Sequence, residues 1–205
     1  PSSFLGSCRF KLPTVEKSPE TYEKIIAVLR KLDIQHFFYI GGNDSMDTIK
    51  QLSEYAKAKN ITDITFMGVP KTIDNDLAVT DHTPGYGSAA KYIASTMKEI
   101  IRDALVQPIK IVNIIEIMGR NAGWLTAAAA LAKGDDCEGA DLIYLPETVF
   151  DINKFVAKVQ EIQKTKKQIV VAVSEGVKTA DGKYVCESAS SNMLVDSFGH
   201  KQLSG

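Results

Sequence analysis

Short runs of consecutive apolar residues alternate along this chain with longer stretches in which apolar residues recur every three to four positions, a pattern that predicts strands and helices in turn. Ser18 and Pro19 form a helix start, a hydroxyl cap followed by a proline suited to the first turn, and Tyr22, Ile25, Ile26 and Leu29 then share one helical face. The run His36 to Ile40 is short, apolar and rich in β-formers, as in a parallel strand buried on both faces. A helix is predicted from Asp44 or Ser45 to about Ala58, and a strand over Ile64 to Val69. In the long helical pattern that follows, Ala90, Ile93, Ala94, Met97, Ile101 and Ala104 fall on one face. Beyond it the pattern gives strand Ile109 to Ile115, helix Ala122 to Ala132, strand Leu142 to Leu145, helix Ile152 to Ile162 and strand Gln168 to Val173. Strands alternating with helices are the repeating unit of an α/β fold with a parallel sheet, and the Pro84-Gly85 break divides the chain into residues 1–85 and 86–205.

Composition narrows the class without naming a chemistry. At 205 residues, 44% hydrophobic and with a net charge of -1, the chain can bury one good core or two modest ones. It has no basic excess for nucleic acid, no run of eighteen apolar residues to span a bilayer and no charged-then-apolar leader, so it reads as a cytoplasmic protein that binds neither nucleic acid nor membrane. Cys8, Cys137 and Cys186 form no Cys-x-x-Cys pair and read as reduced thiols. The first residues lack an initiator methionine and begin in what reads as a loop, as expected of a piece of a longer chain.

Chemistry concentrates where apolar runs stop. Phe66 to Val69 ends at Pro70 and gives way to Lys71-Thr72-Ile73-Asp74-Asn75-Asp76, a lysine and two carboxylates just past a strand, where ligands of parallel α/β sheets gather. Such polar loops are also ordinary solvated turns. Phe38-Tyr39-Ile40 ends at Gly41-Gly42-Asn43-Asp44-Ser45, where two glycines let backbone amides approach a phosphate and the next helix presents its positive end. A third stretch runs Glu116-Ile117-Met118-Gly119-Arg120-Asn121-Ala122-Gly123-Trp124.

These three segments, in this order and spacing, resemble the GGD-type, TIDND and MGR loops of the phosphofructokinase family, and the likeness covers nearly the whole chain. The resemblance implies two Rossmann-like, doubly wound parallel-sheet domains, the first truncated: residues 1–85 for the phosphoryl donor and residues 86–205 for fructose 6-phosphate. It implies transfer of a phosphoryl group to the sugar C1 hydroxyl, with Asp74 taking the hydroxyl proton, Asp76 supporting it from the same loop and Thr72 offering its hydroxyl to the substrates. Met118, Gly119 and Arg120 would hold the sugar phosphate, with Arg120 also serving the transition state, and Glu175 would accept sugar hydroxyl hydrogens. His200, in a segment similar to the family's Gly-His-x-Gln-Arg, would approach the 6-phosphate, although Leu203 replaces the arginine there.

Donor choice is implied by two departures from the nucleotide-using members. Lys71 and Asp44 stand where those members have glycines; an ammonium suits pyrophosphate, and a carboxylate repels the nucleotide α-phosphate. The resemblance thus implies that Gly42, Asn43, Asp44, Ser45 and Lys71 form the donor-binding set of a pyrophosphate-dependent enzyme, and it further implies Mg2+ as cofactor and a homo-oligomer. Asn43 stands where many members have an aspartate associated with the metal, so the resemblance leaves two routes: Asp44 takes the metal over, or pyrophosphate brings it with little help from the protein. An ATP-dependent kinase and a non-catalytic regulatory homologue are the competing readings. Glu147, similar in position to an effector-site residue of ATP-using members, reads as structural.

Overall fold

The computed structural model describes residues 10–186, which fall into two compact units, residues 10–71 and 72–186. In the first, helix α1 (Pro19–Lys31) leads to strand β1 (His36–Gly41), helix α2 (Asn43–Ala58) and strand β2 (Thr65–Pro70), and β1 and β2 pair in parallel from His36↔Thr65 to Gly41↔Pro70. The core forms where Tyr22, Ile26 and Leu29 of α1 meet Leu52 and Tyr55 of α2, with Phe37 and Phe66 packed against them from the sheet. Ser18 does occupy the N-cap of α1, but its hydroxyl meets the side chains of Glu20 and Thr21 and makes no backbone cap.

The expectation that β1 is buried on both faces is not met. Phe38 is 63% exposed and Ile40 67%, and their register partners Met67 and Val69 are exposed as well. Both helices of the unit pack on the Phe37 and Phe66 face, so the apolar run reports a second face that the described residues leave open.

In residues 72–186, helix α3 (Tyr86–Leu105) is followed by strand β3 (Ile111–Ile117), a short helix α4 (Trp124–Ala127) continued as a 3-10 turn over Ala128–Ala132, strand β4 (Leu142–Tyr144), helix α5 (Ile152–Ile162) and strand β5 (Gln168–Ser174). The strands are all parallel in the order β3-β5-β4, which puts β5 in the centre. Five of its seven residues, Ile169 to Ala172 and Ser174, are almost wholly buried. Met97, Ile101 and Ala104 of α3 pack with Ala129, Ala132, Val170 and Ala172 into one core. Each large apolar side chain so buried contributes about 1.5–3 kcal/mol.

The alanine run was expected to be α-helical and is not beyond Ala127. A 3-10 segment turns once every three residues, so Ala129 and Ala132, both 0% exposed, stack on one face against α3. Close packing overrides alanine's helix preference here. Strand β3 lies two residues later than predicted, whereas α5 falls where predicted and is capped by Asp151, whose carboxylate accepts the Asn153 and Lys154 amides at 2.9 and 3.1 Å. The units divide at Lys71, ahead of the Pro84-Gly85 break, because Ile73 sits in a hollow beside α3 and β3 and Thr83 is buried.

Candidate active site

At the carboxyl ends of β1 and β2 the two loops run side by side: the Lys71 amide donates to the Gly41 carbonyl at 2.9 Å. Gly42 is the N-cap of α2, so the helix begins at Asn43, earlier than predicted, and brings Asp44 into its first turn. Ser45 is packed against Gly41, where an added Cβ would lie 2.1 Å from the serine Oγ. The five donor-set residues therefore occupy one end of one sheet, beside the positive end of a sixteen-residue helix. Asn43 and Lys71 are exposed, while Asp44 and Ser45 are half-buried. Among the described residues no group of three or more His, Cys, Asp or Glu side chains is placed to hold a metal ion.

The loop that opens the second unit is shaped by its own side chains. The Asp74 amide donates to the Thr72 hydroxyl at 3.0 Å, closing a short hydroxyl-to-backbone turn. Asn75 is 8% exposed at φ 59; its side chain donates to the Asp81 carbonyl at 3.2 Å and accepts the Thr83 amide at 2.9 Å. That staple fixes the loop from Asp74 to Thr83 around one residue. Asp74 and Asp76, expected to act together from one loop, are set apart by the left-handed turn at Asn75. Asp74 is half-buried, whereas Asp76 is exposed and lines an open hollow of about 460 Å³ with Asn75, Asp81 and Trp124, which Asp74 does not line.

Strands β3 and β5 bring the acceptor-side residues together. The ladder runs on past Ile117↔Ser174, with the Glu175 amide donating to the Ile117 carbonyl at 3.0 Å, so Met118-Gly119-Arg120 and Glu175 leave adjacent strand ends. The Gly119 amide donates to Glu175 Oε1 at 3.2 Å, and the buried Ser174 hydroxyl donates to the Gly119 carbonyl at 2.7 Å. Gly119 stands at φ 123, which a side chain rarely adopts, and a Cβ there would lie 2.4 Å from the Ala122 carbonyl oxygen.

Arg120 lies ahead of α4, which begins at Trp124, two residues later than the predicted start at Ala122, so no helix end faces it. Arg120 Nε is buried and has no acceptor among the described residues, and an unsatisfied guanidinium N–H calls for one. Glu116, whose carboxyl is pushed above its ordinary value by burial and then by the charge of Glu175, adds a second acidic group nearby. Met118 is 60% exposed and lines an apolar hollow of about 400 Å³ with Ile73, Tyr92 and Met97. Glu147 accepts the Gly123 amide at 2.7 Å, ahead of α4, in keeping with a structural part.

The family profile described as Phosphofructokinase matches residues 1–205. The chain belongs to the phosphofructokinase family. Among its relatives, the pyrophosphate–fructose 6-phosphate 1-phosphotransferase of Xanthomonas campestris pv. campestris is 46% identical over all of this chain and 49% of its own length. That of Methylococcus capsulatus is 42% identical over all of this chain and 48% of its own length. The crystal structure of pyrophosphate-dependent phosphofructokinase from Nitrosospira multiformis superposes with a TM-score of 0.71 at 42% identity, over 87% of this chain and 44% of that one. This phosphofructokinase chain thus spans about half the length of the relatives it matches. His200 lies outside the described residues. Two residues that hold the loops, Asn75 and Ser174, escaped the sequence reading. Asn75 carried a signal, an asparagine between two aspartates in a turn-prone loop, because asparagine tolerates the left-handed conformation. Ser174 carried none, being one polar residue at the end of an apolar strand.

Proposed function

We propose that the full-length protein is a pyrophosphate-dependent 6-phosphofructokinase, transferring a phosphoryl group from pyrophosphate to the C1 hydroxyl of fructose 6-phosphate and releasing phosphate, in either direction. What carries the reading is identity of 46% across the whole chain to a relative whose name states both substrates, with Lys71 and Asp44 present in the donor loops. In this reading Asp74 takes the proton from the C1 hydroxyl as the hydroxyl oxygen attacks phosphorus, and Asp76, which the turn at Asn75 sets apart from it, supports it through its charge rather than by sharing its hollow. Thr72 has its hydroxyl proton left to give to a substrate while its oxygen accepts the Asp74 amide. Arg120 answers its unsatisfied Nε with the sugar phosphate and with charge that develops during transfer. Glu175 shares one oxygen with the Gly119 amide and offers the other to sugar hydroxyls, and the Met118-Gly119 backbone and His200 complete the acceptor set.

On the donor side, Lys71 and the amides at Gly42, Asn43 and Ser45 attract pyrophosphate, and Asp44 disfavours a nucleotide in its place. Mg2+ keeps most of its waters and takes one or two carboxylates plus substrate phosphates, so the single carboxylate Asp44 fits it without a larger cluster. Bound there it would neutralise charge on the phosphoryl oxygens. No helix among the described residues is long and apolar enough to cross a membrane. We place the enzyme in the cytoplasm as a homo-oligomer, a dimer or tetramer. The test is a coupled assay of the full-length protein with fructose 6-phosphate, Mg2+ and either pyrophosphate or ATP. Turnover with pyrophosphate supports the reading; turnover with ATP alone, or with neither donor, overturns it in favour of the ATP-dependent kinase or the non-catalytic homologue.

A further inference from the structure

We propose that Ser174 is a positioning residue for the acceptor side of the reaction, fixing the Gly119–Arg120 backbone so that Arg120 and Glu175 stand in their working places before substrate arrives. This rests on the functional reading above and goes beyond it, since the hydroxyl touches neither substrate nor reacting atom.

Ser174 ends β5 and is 1% exposed. Its hydroxyl donates to the Gly119 carbonyl at 2.7 Å and accepts the Gly176 amide at 3.0 Å, so both of its main hydrogen-bonding capacities are used on backbone. The next residue, Glu175, accepts the Gly119 amide at 3.2 Å. The one after, Gly176, lies so close beneath Arg120 that a Cβ would fall 1.9 Å from the Arg120 carbonyl oxygen. Three consecutive residues of one strand end therefore grip two consecutive residues of the next: the amide of Gly119, its carbonyl and the carbonyl of Arg120 are each met by a different member of Ser174-Glu175-Gly176.

A grip of this kind has a purpose that packing alone does not require. Gly119 is held at φ 123, one of many conformations open to an unrestrained glycine, and Arg120 has a buried Nε that waits for an acceptor. A guanidinium that binds and stabilises a phosphoryl group works best when its position is fixed before the reaction, because errors of about 1 Å cost on the order of a hundredfold. Ser174 also supports Glu175 indirectly, since the peptide whose carbonyl it holds follows the amide that Glu175 accepts. A serine that served only to satisfy a buried carbonyl would affect stability without distinguishing between the two substrates.

The experiment compares Ser174→Ala and Ser174→Thr in the full-length enzyme, measuring KM for fructose 6-phosphate, KM for pyrophosphate, kcat and thermal stability. Ser174→Ala is expected to raise KM for fructose 6-phosphate about tenfold and lower kcat about tenfold, leaving KM for pyrophosphate within about twofold. Ser174→Thr keeps the hydroxyl and is expected to stay within about threefold of wild type in all three. If Ser174→Ala fails to fold, Ser174→Cys, similar in size and a weak donor, is the second variant and must show the same selective loss. Kinetics unchanged in a folded variant, or a fall that strikes both substrates equally, overturns the positioning role while leaving the functional reading intact. A wild-type enzyme silent toward fructose 6-phosphate overturns that reading, and this role with it.

Discussion

Replacing Gly176 with alanine should damage the acceptor side from a position that carries no chemistry. The added Cβ would lie 1.9 Å from the Arg120 carbonyl oxygen, 2.6 Å from its carbonyl carbon and 2.8 Å from its α-carbon. All three are backbone atoms, so no side chain can swing aside. To restore even a 3.0 Å contact the Arg120 carbonyl must retreat by about 1.1 Å, the difference between 3.0 and 1.9 Å. Overpacking of this kind costs about 1–3 kcal/mol. The retreat also pulls on the neighbouring Ser174–Gly119 hydrogen bond, itself worth about 1 kcal/mol. Kinetically, a displacement near 1 Å in the segment that carries Arg120 should lower kcat/KM for fructose 6-phosphate on the order of a hundredfold. Steady-state kinetics at saturating pyrophosphate, with thermal unfolding to confirm a folded protein, checks both effects. A folded Gly176→Ala enzyme within about threefold of wild-type kcat/KM would refute the reasoning that Arg120 works from a fixed backbone.

Asp74→Ala should lower kcat about a hundredfold or more with KM for fructose 6-phosphate nearly unchanged, as expected for loss of a general base; a change confined to KM in steady-state assays would rule that role out. Asp44→Gly should raise the ratio of ATP to pyrophosphate catalytic efficiency by at least about tenfold, whereas Lys71→Gly should mainly damage pyrophosphate use; a fixed ratio in a folded Asp44→Gly enzyme contradicts the donor assignment. The carboxyl of Glu116 is raised by burial and by Glu175, so the folded state holds its proton more tightly than the unfolded chain. Its contribution to stability is full below the unfolded value and is lost as pH rises through the folded one. Glu116→Gln should therefore gain in melting temperature relative to wild type as pH rises above the ordinary glutamate value of about 4.3, and a difference that does not vary with pH would exclude the effect.

The elements were legible where local signals are strong. Helix α5 has an aspartate cap and a clean apolar period, and its predicted span matches the observed one. Strand β3 was placed two residues early because periodicity says that a strand exists, whereas its pairing with β5, starting at Ile111↔Gln168, says where it starts. The Ala122 to Ala132 helix gave way to a 3-10 turn because burial of Ala129 and Ala132 against α3 depends on a partner distant in sequence. The acceptor side shows the same division more sharply. Met118, Gly119, Arg120 and Glu175 could be named from motifs, but that Glu175 meets the Gly119 amide follows only from β3 and β5 being neighbours. Likewise, the motif names Asp74 as base and Asp76 as its support in one loop without showing how the two are set apart. The left-handed Asn75 between them makes one half-buried and the other exposed.

Phosphorus NMR of the full-length protein with fructose 6-phosphate, pyrophosphate and Mg2+ reads the bond made and the bond broken in one sample. The account predicts that the pyrophosphate signal falls while inorganic phosphate and a C1 sugar phosphate rise in equal amounts, and that ATP offered instead keeps its γ-phosphate. Pyrophosphate split into two phosphates with no sugar bisphosphate formed, or a C1 phosphate that appears only with ATP, would contradict it.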